Sequence, residues 1–266
     1  MWLILRFILG LALGSFLHVL ASRYDPERFI LTRHTLGGRS YCPGCKKTLV
    51  WYELIPLFSF LIQRGRCRSC GVVIGWSYFC VELASGLIVA LVPLTTLTIS
   101  AAPVLAALWT AAFLILLLIT LIDLRLQMIP DELNILLVVL GLGVIIFNAP
   151  PAPWFSHLAA ALGAALFFAL LIFITRNWGA NKEGGMGVGD AKFVFALGLI
   201  FGWPDTLLLV MLAFILGAVV GVALIAIKSK NLKSALPFGP FLAVSAAIVF
   251  FFGQNIVSGY LRLLGA

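Results

Sequence analysis

Eight apolar runs joined by short polar loops constrain this chain more than any other feature of its sequence. They cover residues 3–21, 78–95, 104–122, 133–147, 158–175, 191–203, 206–227 and 237–252. Several reach or pass the ~18 apolar residues that mark a membrane span. Soluble domains carry roughly 25% charged residues; here the share is 11%, against 62% hydrophobic. In hydrocarbon each backbone N–H and C=O must find its partner within the segment, so runs of this length read as helices. The expected fold is an all-α polytopic membrane protein with about eight transmembrane helices. The fourth and sixth runs are short for a ~30 Å core, and the sixth reads as tilted or half-buried. The first run contains Arg6 and His18 and leads into a basic loop with no small-residue cleavage pattern. It reads as a retained span, not a cleaved signal.

The distribution of cations tests this count. With eight spans, residues 22–77, 123–132, 176–190 and 228–236 fall on one side. Together with Lys192 at the same edge, they leave only Arg6 and Arg262 of the 18 Lys and Arg residues for the other side. Omitting one span scrambles that partition. By the positive-inside rule the basic side is cytoplasmic, so both termini are expected on the non-cytoplasmic side. The net charge of +8 is then mostly a topology signal. A basic face also attracts anionic membrane lipids, and no fold motif supports nucleic acid as a partner.

Residues 22–77 form the only sizeable polar segment and hold Cys42-Pro43-Gly44-Cys45 and Cys67-Arg68-Ser69-Cys70. Two CxxC pairs suit tetrahedral zinc, and the Gly and Ser near them allow the tight turns of a zinc knuckle. Disulfides are the competing reading, disfavoured in a reducing cytoplasm. Four protein ligands (Cys42, Cys45, Cys67, Cys70) leave no open coordination position, so the metal is expected to be structural. Cys80, in the second span, reads as a small buried hydrophobe.

The stretch Gly184-Gly185-Met186-Gly187-Val188-Gly189-Asp190-Ala191-Lys192 delivers one carboxylate to the mouth of the sixth span. Glycine allows unusual backbone angles and close approach; the plain alternative is a flexible loop whose Asp190 caps the next helix. It lacks the strand before it and the Gly-Lys-Ser/Thr ending of a nucleotide loop. A second acid decides between these readings. Asp123, at the end of the third span, lies on the same membrane edge as Asp190. Ionisable residues there are functional candidates. Two carboxylates brought close share a proton, so one can activate water while the other donates, which is aspartic peptidase chemistry. Asp131, after Pro130, reads as a cap of the fourth span, with Glu132 favouring the same helix N-terminus.

Taken in order, the chain resembles the bacterial type IV prepilin peptidases, membrane aspartic proteases with a Gly-x-Gly-Asp motif. The matches are Gly187-Val188-Gly189-Asp190 with Lys192, Asp123 with Ile129-Pro130-Asp131, and the two CxxC pairs. Gly14-Ser15-Phe16-Leu17, Glu53-Leu54-Ile55-Pro56, Arg64-Gly65-Arg66-Cys67-Arg68, Glu82 and Pro237-Phe238-Gly239-Pro240 also fit. His18 departs from the family's usual Asn, and Ser22-Arg23-Tyr24-Asp25-Pro26 from its Arg-x-Pro spacing.

The resemblance implies a bacterial inner-membrane enzyme. It would cut the basic leader from type IV prepilins and type II secretion pseudopilins on the cytoplasmic side, then methylate the new N-terminal residue from S-adenosylmethionine. It implies catalytic roles for Asp123 and Asp190, with Gly187, Gly189 and Lys192 in the supporting loop. Residues 1–98 would hold the zinc loop and the methyltransferase part, and residues 99–266 a six-helix peptidase domain. Glu53 and Glu82 are candidates for cofactor binding; Glu82 also reads as a buried acid paired with a neighbouring helix. The alternatives are a leader peptidase without methyltransferase activity, a proton- or cation-coupled transporter using intramembrane acids, and a zinc-knuckle scaffold. A transporter would prefer acids at the midplane and an internal repeat; a scaffold leaves Asp123 and Asp190 as coincidence.

Overall fold

The computed structural model describes residues 1–30, 32–96, 102–148, 153–175, 186–227 and 236–263. Among them every regular element is helical, apart from two isolated antiparallel bridges in the cysteine loop. The chain divides into two compact units, Met1–Leu97 and Thr98–Ala266.

The first unit is built on two long helices, α1 (Trp2–Arg23) and α4 (Trp76–Thr95). Lipid tails are as apolar as leucine, so helices in a membrane associate by close packing of small residues. Gly10 and Gly14 of α1 supply that face. A Cβ on Gly10 would lie 2.5 Å from the Ser85 carbonyl oxygen, and one on Gly14 would lie 1.9 Å from Ser85 Oγ. Between these helices run α2 (Arg33–Leu36), a 3₁₀ turn at Trp51–Leu54 and α3 (Phe58–Ile62). Arg23, at the end of α1, donates to the carbonyls of Gly37 and Arg39 and ties the loop to the helix.

The second unit contains α5 (Ala102–Leu126), α6 (Asp131–Phe147), α7 (Trp154–Thr175), α8 (Val188–Phe201), α9 (Asp205–Ala226) and α10 (Gly239–Leu263). Its centre is α8, which contacts α6, α7, α9 and α10. Phe193, Val194, Ala196 and Leu197 are fully buried, so the body of α8 beyond its first turn is apolar on most of its faces because neighbours cover them. Gly198 lets α7 close on it: a Cβ there would sit 2.5 Å from the Ala161 Cα.

All eight apolar runs are helical. Six of the helices are long and apolar enough to cross a membrane: Trp2–Arg23, Trp76–Thr95, Pro103–Leu126, Trp154–Thr175, Asp205–Ala226 and Gly239–Tyr260. The remaining two, α6 with 17 residues and α8 with 14, are shorter. At 1.5 Å per residue they span about 25 Å and 21 Å. One expectation is corrected here. Cys80 is exposed on α4 and not buried; in a membrane helix an apolar residue is compatible with either face.

Candidate active site and metal centre

Asp123 sits in the last turn of α5 and is 4% exposed. The helix ends three residues on, at Leu126; just beyond it the Gln127 N–H reaches the Asp123 carbonyl at 2.8 Å and Gln127 takes a positive φ of 54°. The Asp123 carboxylate is aimed by the first residue of α10: the Gly239 N–H donates to Oδ2 at 2.9 Å. Glycine leaves the oxygen its place: a Cβ on residue 239 would stand 2.7 Å from it and force the carboxylate to shift.

Asp190 occupies the third position of α8, after the N-cap Gly187. Its Oδ2 accepts the Gly187 N–H at 3.0 Å, the backward half of a capping box. The helix-capping reading of Asp190 and the site reading are therefore compatible. Gly189 brings this first turn against the α5–α6 connection, where a Cβ would meet the Ile129 Cβ at 3.4 Å. The outcome is that Asp123 and Asp190, far apart in sequence, lie within electrostatic reach of each other. Each carboxylate is oriented by a glycine amide, one from α10 and one from the start of α8.

Asp131 does not cap α6. The N-cap is Pro130, with no side-chain cap, and Asp131 is the first helical residue. Its carboxylate turns instead to Lys192, whose Nζ donates to Oδ1 at 2.7 Å and Oδ2 at 2.9 Å. Asp131 and Glu132 still stand in the first turn, where negative charge is favoured by the helix dipole. The ion pair was hidden from the sequence because its partners are far apart along the chain. Gly184 and Gly185 lie outside the described residues.

The four cysteines of the polar loop converge. Their sulfur atoms all lie within 4.8 Å of one another, with Cys42 Sγ and Cys70 Sγ 3.7 Å apart. A tetrahedron of Zn–S bonds at ~2.3 Å has edges of roughly 3.8 Å, so zinc fits this donor set. Two matching turns build it. In the first, the Cys42 N–H bonds the Lys47 carbonyl at 3.0 Å and the Lys46 N–H bonds the Cys42 carbonyl at 2.9 Å. In the second, Cys67 and Val72, and Gly71 and Cys67, repeat both bonds at 2.9 Å. Lys46 and Gly71 take positive φ at the same place in each turn. The amide N–H of Cys45, first among several hydrogen bonds, lowers the Cys42 thiol to about 6, so it ionises readily. Cys70 also receives an amide N–H, from Val72, yet desolvation and the neighbouring thiols push it up to about 11. A bound cation would erase that difference, because coordination deprotonates a thiol outright.

Both acids singled out for cofactor binding are engaged by the loop's own backbone. Glu53 Oε2 accepts the Val50 N–H at 3.0 Å. Glu82 Oε2 accepts the Leu57 N–H at 2.8 Å and also bonds the Ser15 side chain of α1. Leu57 has φ of 59°, and the Phe58 N–H closes on the Pro56 carbonyl at 2.6 Å. That is a γ-turn, a strained conformation for a side-chain-bearing residue, and Glu82 holds it. Sequence reasoning missed the Gly239 amide as a partner of Asp123; a glycine at the mouth of the last apolar run, beside two prolines, was its only signal.

Residues 8–96 match the bacterial peptidase A24 N-terminal domain, and residues 110–222 match the type IV leader peptidase family. Among curated relatives, the prepilin leader peptidase/N-methyltransferase of Bacillus subtilis is 29% identical over 260 residues, covering 97% of each chain. The protein of that name from Pseudomonas aeruginosa is 32% identical over 280 residues, covering 97% of this chain and 93% of its own. The one from Aeromonas hydrophila is 32% identical over 285 residues with the same coverage. No solved structure matches. With such identity along nearly the whole of both chains, this chain belongs to the type IV leader peptidase family.

Proposed function

We propose that the protein is a leader peptidase of the bacterial inner membrane that cleaves type IV prepilins and type II secretion pseudopilins at the cytoplasmic edge of the bilayer, then N-methylates the exposed residue. The observation that supports this reading is that Asp123 and Asp190 lie within electrostatic reach of each other. One carboxylate draws a proton from water as it attacks the scissile carbonyl. The other, protonated, donates to the carbonyl oxygen; the first then passes the proton it took from water to the leaving amine, and the second recovers its own from the tetrahedral hydroxyl as the C–N bond breaks. The Gly239 and Gly187 amides fix the aim of the two groups, which is what a near-attack geometry demands.

Zinc held by Cys42, Cys45, Cys67 and Cys70 stabilises the polar loop. Methyl transfer from S-adenosylmethionine belongs to the 1–98 region, and peptide cleavage to residues 99–266. All eight apolar helices lie across the membrane in this reading, α6 and α8 by being enclosed among longer neighbours, and both termini face away from the cytoplasm. The charge partition supports this arrangement.

The test is direct. Purified protein is incubated with a full-length prepilin, and the products are weighed by mass spectrometry with and without S-adenosylmethionine. Cleavage at the leader junction, followed by a gain of one methyl group, is expected. Asp123→Asn and Asp190→Asn insert normally and cleave at less than a thousandth of the parent rate. Full cleavage by either variant removes that residue from the mechanism.

A further inference from the structure

The second unit carries an open groove of about 590 Å³ between α6, α7 and α8. Its mouth is polar, formed by Asp131 and Lys192, whose charges are already paired with each other. Away from that mouth its lining is apolar: Val138 and Val139 of α6, Phe195 of α8, and Ala165 and Ala169 of α7. Alanines four residues apart share a helix face and leave backbone nearly level with the surface, which lets another helix come close. Ala191, the residue after Asp190, also lines the groove, so the groove opens beside the candidate catalytic pair.

One residue there is out of place. Asn134 lines the groove, one turn into α6, and is 5% exposed. Both its Nδ2 and its Oδ1 lack a hydrogen-bond partner. Leaving a buried amide unpaired costs on the order of 1–3 kcal/mol, and an apolar residue of the same size would avoid that cost. A carboxamide offers one donor edge and one acceptor edge, the complement of a peptide group.

We propose that this groove seats the apolar stem of the substrate just beyond the scissile bond, and that Asn134 is a positioning residue that pairs with one of its peptide groups. The proposal rests on the leader-peptidase reading above and names the substrate site for it. The chemistry favours a peptide over a lipid. An acyl chain offers nothing to Asn134, and the Asp131–Lys192 pair is neutral overall and does not select an anionic headgroup. A substrate with a charged leader and an apolar stem matches a groove that is charged at one end and apolar along the rest of its lining. Unwinding at the cleavage point frees the peptide N–H and C=O that Asn134 takes up.

The experiment has two arms. In the first, Asn134→Leu and Ala169→Trp are assayed on a full-length prepilin in detergent, with thermal unfolding measured alongside. Asn134→Leu is expected to unfold no earlier than the parent while its KM rises about tenfold at unchanged kcat, the loss of roughly two ordinary hydrogen bonds. Ala169→Trp fills the groove and raises KM at least as much. In the second arm, a photoreactive residue replaces Val138 in the Asp123→Asn background, and uncut prepilin is added. A crosslink within the first helical turn after the leader junction supports the proposal. Parent-like KM in both variants overturns it, as does a crosslink found only to lipid or to a second copy of the enzyme. If either groove variant fails to fold, the crosslinking arm decides alone. Should the parent protein not cleave prepilin at all, the leader-peptidase reading itself falls; if the parent cleaves and only the groove arms fail, the groove assignment alone is wrong.

Discussion

Replacing Gly239 by alanine tests the construction of the acid pair without touching either acid. A Cβ at this position would stand 2.7 Å from Asp123 Oδ2 and 3.3 Å from its Cγ. Ordinary contact begins near 3.4 Å, so the oxygen must retreat by about 0.7 Å. The 2.9 Å bond from the Gly239 N–H then stretches beyond hydrogen-bonding range. Productive catalytic geometry tolerates about 0.5 Å, and a 1 Å displacement costs on the order of 10²-fold. The expected result is a 10- to 100-fold fall in kcat on prepilin with little change in KM, because the substrate stem does not contact residue 239 in this scheme. The control is Gly163→Ala on α7, where a Cβ meets nothing within 4 Å; there helix propensity favours alanine by about 0.5–1 kcal/mol and kcat should hold. Leader cleavage is measured under saturating substrate in detergent, with thermal unfolding as the check on folding. A Gly239→Ala enzyme with parental kcat refutes the idea that α10 sets the aim of Asp123. A parental kcat in Asp123→Asn as well would place the chemistry elsewhere.

Elemental analysis of the parent is expected to give one zinc per chain; Cys42→Ser should remove it and lower methylation more than cleavage. A chelator strong enough to strip zinc from the parent should reproduce the effect, and zinc-free parent protein would sink the metal assignment. Glu82→Leu removes the acceptor for the Leu57 N–H, a loss of about 1–3 kcal/mol to the local turn. It should appear as faster tryptic cleavage at the exposed Arg64, Arg66 and Arg68, with leader cleavage largely retained; protease resistance equal to the parent would show that Glu82 does not hold the turn.

The positions of the helices were legible because an apolar run in a membrane protein has few other fates. The cysteine centre was legible for a related reason: its ligands form two local turns, and spacing within each CxxC pair already limits the geometry. What escaped were contacts between distant segments that no shared chemistry announced. Asp131 has every local mark of a helix cap, but Lys192, distant in sequence, offers its carboxylate a charged partner. Which face of a helix is buried was equally hidden. Lipid-facing and core-facing residues are both apolar here, so the period that exposes the inner face of a soluble helix is nearly erased, and Cys80 was placed on the wrong side. Asn134 is the reverse case. A carboxamide between Leu133 and Ile135 is conspicuous in the sequence, and polar residues in such segments are functional candidates. Yet only the fold shows that it faces a groove and has no partner.

The Asp131–Lys192 pair shows how modest energetics can still matter to the site. Both side chains are more than half exposed, and an exposed pair is worth at most about 1 kcal/mol, so it contributes little to holding the fold. Its effect is directional. Lys192 lies two residues after Asp190 and is the nearest cation in sequence to it. With Nζ bonded to both oxygens of Asp131, its charge is drawn toward the start of α6. A cation seated on Asp190 would favour the ionised form of both acids and leave neither with the proton that must be donated. Orientation of the two carboxylates falls instead to neutral glycine amides, which can hydrogen-bond a carboxyl group in either protonation state. In the proposed mechanism the acids therefore stay aimed and free to exchange one proton, while a nearby lysine completes a pair of its own.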